Sequence, residues 1–167
     1  MIDKEILLKR ASITKPDWRT TADICWTYIA KDVNSNTVKV GHSTGLRKRL
    51  SVLHSVYPYR NYDLELIAFT PCNIEESIQF ALFEAGARFA LPNSRTGPVK
   101  KELFVLEEED VDAVIDAFKL QRTTGGMIPG KMKQTPDGEH ACLFFRYSIE
   151  SWDAPAKRRV LRGHGND

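Results

Sequence analysis

The sequence has few cysteines and no apolar run long enough to span a bilayer. Its three cysteines, Cys25, Cys72 and Cys142, are scattered, and no C-x-x-C pair occurs. This pattern disfavours a disulfide framework or a zinc ribbon and is typical of a reducing compartment, so we expect a cytoplasmic protein. The first ten residues are interrupted by charges, which predicts neither a signal peptide nor a membrane span.

Acidic residues are missing from one long stretch, although the chain as a whole is nearly neutral. The formal net charge of +2 is too small to indicate a class of partner. Between Val33 and Tyr62, however, there is no Asp or Glu. The same stretch contains five basic residues, namely Lys39, Arg47, Lys48, Arg49 and Arg60. A local excess of this kind favours contact with phosphate groups.

The acid-free stretch begins in a predicted β-hairpin and ends after a predicted helix. Residues 26–30 and 37–40 are rich in β-branched and aromatic side chains and flank the turn sequence Asn-Ser-Asn. Gly41 is expected to end the second strand. Residues 44–54 then place Leu46, Leu50 and Leu53 on one helical face, which predicts an amphipathic helix with a basic outer surface.

The rest of the chain continues the alternation of strands and helices. Residues 62–71 predict a third strand, and apolar residues recur at helical spacing over 74–89 and 111–118. We therefore predict an α/β fold with a small, mainly antiparallel three-stranded sheet flanked by helices. A C-terminal extension follows this domain.

The composition predicts three segments. Residues 1–22 are an N-terminal arm, and 23–121 form the folded domain. Residues 122–167 begin with a Gly- and Pro-containing linker and continue with an extra β element at 140–149 and a basic tail. About 35 residues are too few to fold alone, so we expect the β element to pack on the main domain.

Three short motifs in the first half of the domain occur in a recognisable order. The tripeptide WTY ends at Tyr28, KVG ends at Gly41, and Arg49 follows Gly41 by eight residues. In this order they resemble the GIY and YIG motifs and the catalytic arginine of the GIY-YIG nuclease superfamily. The similarity is greatest to its small phage and fungal branch, in which KIG or KVG replaces YIG. It covers about residues 24–120 and continues through RLSVLHSVYP, LELIAFTP and KELF.

The resemblance implies an active site. Tyr28 would take the proton of the attacking water, with a phenol pKa lowered by nearby positive charge. Arg49 would stabilise the charge on phosphorus. Gln79 stands where the family has its metal-binding glutamate, and Glu75 and Glu76, one turn earlier on the same helix, are the candidate metal ligands. One Mg²⁺ or Mn²⁺ ion is the implied cofactor.

The implied partner is DNA, with RNA also possible, and no membrane. Protein partners are unidentified. The predicted nucleic-acid contacts are Lys39, Gly41, His42, Arg47, Lys48 and Arg60.

Three functions are compatible with these residues. The first is a metal-dependent endonuclease that cleaves DNA phosphodiester bonds. The second is a nucleic-acid binding module that kept the fold but lost catalysis at Gln79. The third is an interaction domain whose basic surface binds an acidic protein. Without the family resemblance, Tyr28 would be an ordinary core residue and Glu75 and Glu76 ordinary acids at a helix start.

Overall fold

A computed structural model describes residues 1–15, 24–92, 101–123 and 128–131. The predicted β element at 140–149 and the basic tail lie outside the described residues. In the described part, none of the helices has the length and apolarity that crossing a bilayer requires.

The predicted α/β class is confirmed. The described residues form one antiparallel sheet of six strands in the order β4-β5-β2-β1-β3-β6. The strands are β1 (Trp26–Asp32), β2 (Thr37–Ser43), β3 (Leu64–Thr70), β4 (Arg88–Phe89), β5 (Leu103–Val105) and β6 (Gln121–Arg122). Four α-helices accompany them: α1 (Lys4–Ile13), α2 (Leu46–Leu53), α3 (Glu75–Glu84) and α4 (Glu108–Ala117).

Two predictions about the sheet were wrong in detail. The three central strands β1, β2 and β3 are the predicted ones, but three shorter strands extend the sheet to six. These have two or three residues each, too few to produce the alternation by which a strand is recognised. Gly41 does not end β2, which continues to Ser43, because Gly41 pairs with Tyr28 of β1.

The sheet separates two hydrophobic cores. On one side, Ile29 and Val40 pack with side chains from α1, α3 and α4. On the other side, Trp26, Tyr28 and Phe69 pack with the three leucines of α2. Because side chains alternate along a strand, β1 contributes to both cores and is buried on both faces.

The N-terminal helix α1 packs against α3 and α4 rather than extending away from the sheet. Leu7 is buried in the first core, and Arg10 forms a two-point hydrogen-bonded ion pair with Glu84 at the end of α3. The division into an arm, a domain and an extension stays a prediction.

Candidate active site

Tyr28 lies in the middle of β1, inside the second core. Its side chain is 1% exposed, and its strand neighbours are Gly41 on β2 and Phe69 on β3. A Cβ atom at Gly41 would come within 2.7 Å of both Cζ and the hydroxyl oxygen of Tyr28. The glycine therefore leaves the space in which the phenol lies.

Burial shifts the pKa of Tyr28 upward, whereas nearby positive charge was expected to lower it. Desolvation raises the pKa of the phenol well above its ordinary value of 10.0. The positive charge of Arg49 lowers it, but that effect is smaller, and the carboxylates of Glu102 and Glu75 raise it further. The effect of burial on the pKa therefore outweighs that of Arg49, and a pKa lowered by a metal-bound water stays a prediction.

Lys39 was expected on the nucleic-acid surface, but it is only 4% exposed. Its ammonium lies 3.0 Å from a carboxylate oxygen of Glu102, 4.6 Å from the ring centre of Tyr59 and 5.9 Å from that of Tyr28. Burial lowers the pKa of Lys39, and the ion pair with Glu102 opposes this shift. In this position the ammonium packs against the rings of Tyr28 and Tyr59 and is not accessible to a phosphate outside the domain.

Helix α2 presents Arg49 to solvent. Leu46, Leu50 and Leu53 are buried, as the helical spacing predicted, and the basic residues between them are exposed. The charge of Arg49 affects the pKa of Tyr28, Lys39 and His42, so its guanidinium lies within electrostatic range of all three. Arg49 is therefore anchored by a buried helix face and is free to contact a ligand.

Helix α3 contributes an amide and a carboxylate. The Gln79 side-chain nitrogen donates to the backbone oxygen of Val40 at 3.1 Å and to Glu75 at 2.9 Å. The other carboxylate oxygen of Glu75 contacts Nδ1 of His42, and this hydrogen bond raises the pKa of the imidazole. Glu75 thus lies in the cluster with Gln79 and His42, whereas Glu76 is exposed.

The cluster contains one carboxylate that could hold a divalent cation together with water and substrate phosphates. In the described ranges, no three His, Cys, Asp or Glu side chains are grouped closely enough to hold a metal ion by themselves. Mg²⁺, however, is often bound by one or two carboxylates together with water and substrate phosphates. Glu75 supplies one carboxylate, its side chain is 13% exposed, and the carbonyl of Gln79 is a weaker neutral donor.

A basic cleft of about 820 Å³ lies along α2. Its lining includes Arg47, Lys48 and Arg49 of α2 and also Lys131. Of the remaining predicted contacts, His42 is exposed beside Glu75, while Arg60 lies past the end of α2. Arg47, Lys48 and Arg49 therefore share one cleft, whereas Lys39 is buried.

Sequence reasoning did not assign a role to Glu102 or Tyr59. Glu102 belongs to the motif KELF, and Tyr59 directly follows the motif RLSVLHSVYP. Strand β5 pairs with β2, and the Glu102 carbonyl accepts a hydrogen bond from Val40, which brings Glu102 next to Lys39. The position of KELF after a helix was the available signal, but it could not identify Lys39 as the partner.

The described part of the chain is a small antiparallel α/β domain with a basic cleft along α2 and a polar cluster that contains Glu75, Gln79 and His42. The chain belongs to the T5orf172 domain family, whose model matches residues 25–119. T5orf172 domains are associated with nuclease-like and DNA-binding functions. Searches of curated proteins and of solved structures gave no significant match.

Proposed function

We propose that this protein is a GIY-YIG-type endonuclease that hydrolyses DNA phosphodiester bonds with the help of Mg²⁺ or Mn²⁺. One observation carries the proposal. Gln79 stands where GIY-YIG nucleases have a glutamate, but a carboxylate is still present. Glu75 contacts Gln79 and His42 and lies within electrostatic range of Tyr28, whose pKa Arg49 also affects. RNA is a second possible substrate with the same phosphodiester chemistry.

Arg49 is suited to the charge that develops during cleavage. Its planar guanidinium can donate two parallel hydrogen bonds to phosphate oxygens, and it is anchored by the buried leucines of α2. Such a preplaced cation stabilises the extra negative charge on phosphorus in the transition state.

Tyr28 is protonated at neutral pH, since burial raises its pKa. Its hydroxyl is therefore a hydrogen-bond donor and acceptor that orients the attacking water. Glu75 and the Gln79 carbonyl would hold the cation. When bound, a divalent cation stabilises the leaving oxygen and lowers the pKa of neighbouring acids.

A specific observation favours a second function, nucleic-acid binding without cleavage. Both carboxylate oxygens of Glu75 already have partners inside the protein, Gln79 and His42. If these contacts persist when DNA is bound, Glu75 is a structural acid and the domain is a binding module.

Nicking of supercoiled plasmid in a Mg²⁺ or Mn²⁺ titration distinguishes the two functions. We expect wild-type protein to nick, Glu75→Gln to lose activity and Gln79→Glu to change little. Glu76→Gln is the matched control, because it removes the adjacent but exposed carboxylate. A gel shift of each protein reports DNA binding separately.

Two results would contradict the nuclease proposal in different ways. If only Gln79→Glu nicks, the wild type is a binding module that lacks its metal ligand. If none of the four proteins nicks, the endonuclease activity itself is rejected.

A further inference from the structure

Tyr57 is an exposed aromatic residue just beyond the C-terminus of α2. Its side chain is 56% exposed, although aromatic rings usually contribute to a core. The guanidinium of Arg60 lies over the ring at 5.7 Å from its centre. More than half of the side chain remains open to solvent with that cation in place.

The chain around Tyr57 is free of acidic residues. Tyr57 and Arg60 both belong to the acid-free stretch, and the basic cleft runs along α2, which ends four residues before Tyr57. Two residues further along the chain, Tyr59 is buried against the ammonium of Lys39, which also faces the ring of Tyr28. The exposed ring of Tyr57 is thus two residues along the chain from a buried ring that faces Lys39.

An exposed ring beside cations suits an unpaired nucleobase with its flanking phosphates. Base stacking on aromatic side chains and contacts from Arg are the usual means of holding single strands. In an intact duplex the faces of the bases are already stacked on one another. A duplex could therefore satisfy the basic residues but would leave the ring of Tyr57 unused.

We propose that Tyr57 and Arg60 form a stacking site for an unpaired base, so that the substrate carries a single-stranded segment next to the bond to be cleaved. A gap, a flap or a loop would meet this requirement. The inference rests on the proposed function, since it specifies the substrate class of the same site.

Equilibrium binding with EDTA present tests the proposal without requiring cleavage. Fluorescence anisotropy would compare single-stranded, gapped and fully paired oligonucleotides of equal length. We expect wild-type protein to bind the single-stranded and gapped oligonucleotides more tightly than the paired one. Tyr57→Leu should weaken binding to those two by about tenfold, the loss typical of one stacked base. Binding to the paired oligonucleotide should be unchanged in Tyr57→Leu.

Tyr57→Phe is the matched control, because it keeps the ring and should keep the preference. Arg60→Gln removes a positive charge that a duplex can also use, so it should weaken binding to all three ligands. Thermal melting reports whether each variant folds. In Tyr57→Leu, equal losses on all three ligands, or no loss, would overturn the stacking site and leave the proposed nuclease intact. A wild-type protein that binds none of the three would overturn both.

Discussion

The ring of Tyr28 occupies the space that a side chain at Gly41 would need. The two residues are partners in the β1–β2 pairing, and a Cβ atom at Gly41 would lie 2.7 Å from the phenol oxygen. Gly41 was predicted as the end of a strand and as a nucleic-acid contact. In the structure its lack of a side chain determines where the candidate catalytic tyrosine lies.

Gly41→Ala should displace this ring. Because Tyr28 is enclosed by the second core, the added methyl cannot be accommodated freely, and we expect a loss of roughly 1–3 kcal/mol in the free energy of unfolding. Urea denaturation measures the loss, and nicking should fall as well. Gly45→Ala is the control, because nothing lies within 4 Å of a Cβ atom there. Equal effects of the two substitutions would contradict this account.

Arg49→Lys tests the guanidinium itself. The substitution keeps the charge and loses the planar fork, so cleavage should fall by at least about tenfold, or roughly 1.4 kcal/mol of transition-state stabilisation. The melting temperature should not change, because the side chain is exposed. Arg47→Lys, two positions earlier on α2, should retain the cleavage rate. Normal turnover by Arg49→Lys would mean that a point charge is sufficient.

Replacing Arg47 and Lys48 by Ala should weaken the binding of duplex DNA, whatever its base sequence. For each phosphate that the variant no longer neutralises, the slope of log affinity against log salt should become shallower by roughly 0.9. Binding measured over a range of salt concentrations gives this slope. The control replaces Lys4 and Lys9 of α1, which packs on the opposite side of the sheet. An unchanged slope in the variant of Arg47 and Lys48 would show that the basic cleft is not part of the binding surface.

Asp32 should contribute stability that depends on pH. Burial raises its pKa, but hydrogen bonds from Ser35, Asp63 and Asn34 outweigh burial and leave the pKa below its ordinary value of 3.8. A lowered folded-state pKa gives stability that is present above pH 3.8 and is lost as the pH falls through the folded-state pKa.

Asp32→Asn should therefore cost roughly 1.5–3 kcal/mol at neutral pH, the range for hydrogen bonds to a charged group. The difference from wild type should shrink on acidification below pH 3.8. Urea denaturation at several pH values measures it. Asp63→Asn is the control, since only the backbone of Asp63 bonds to Asp32. A difference that does not change with pH would exclude the ionised carboxylate as the cause.

Periodicity and turn chemistry were enough to predict the centre of the fold. The leucine spacing of α2 determines which side of the helix is buried, so the exposure of Arg49 followed from local sequence alone. The hairpin and the third strand were likewise long enough to show their pattern. Two-residue strands such as β4 form only because a neighbouring strand supplies partners, so local sequence could not predict them.

The interior of the candidate site depends on interactions between distant residues. His42 and Glu75 are 33 positions apart, and the bond between them exists only because α3 packs beside β2. The same reason explains Lys39, which was interpreted as a surface base from its charge. A lysine on a strand can face either side, and only the pairing of β2 with β5 brings Glu102 to it.

Lys39 and Glu102 form an ion pair whose two members differ in burial, so substitutions at the two positions should differ in their effect on stability. Lys39 is 4% exposed, whereas the side chain of Glu102 is 29% exposed. Glu102→Gln leaves an ammonium buried without a counter-charge, which typically costs about 3–5 kcal/mol. Lys39→Met removes the buried charge, fills similar volume and leaves a carboxylate that water can reach. Urea denaturation should therefore find Glu102→Gln the less stable of the two variants.

The pH dependence of the Glu102→Gln variant provides a second measurement. Burial already lowers the pKa of Lys39 in the folded protein, and loss of Glu102 removes the attraction that opposes this shift. The unfolded chain then binds more protons than the folded one at alkaline pH, so stability should rise as the pH approaches the ordinary lysine value of 10.5. Lys39→Met lacks the titrating amine and should not show the rise. If Lys39→Met were the less stable variant and Glu102→Gln were insensitive to pH, the ammonium would not be an uncompensated charge, and its role would be packing against Tyr28 and Tyr59.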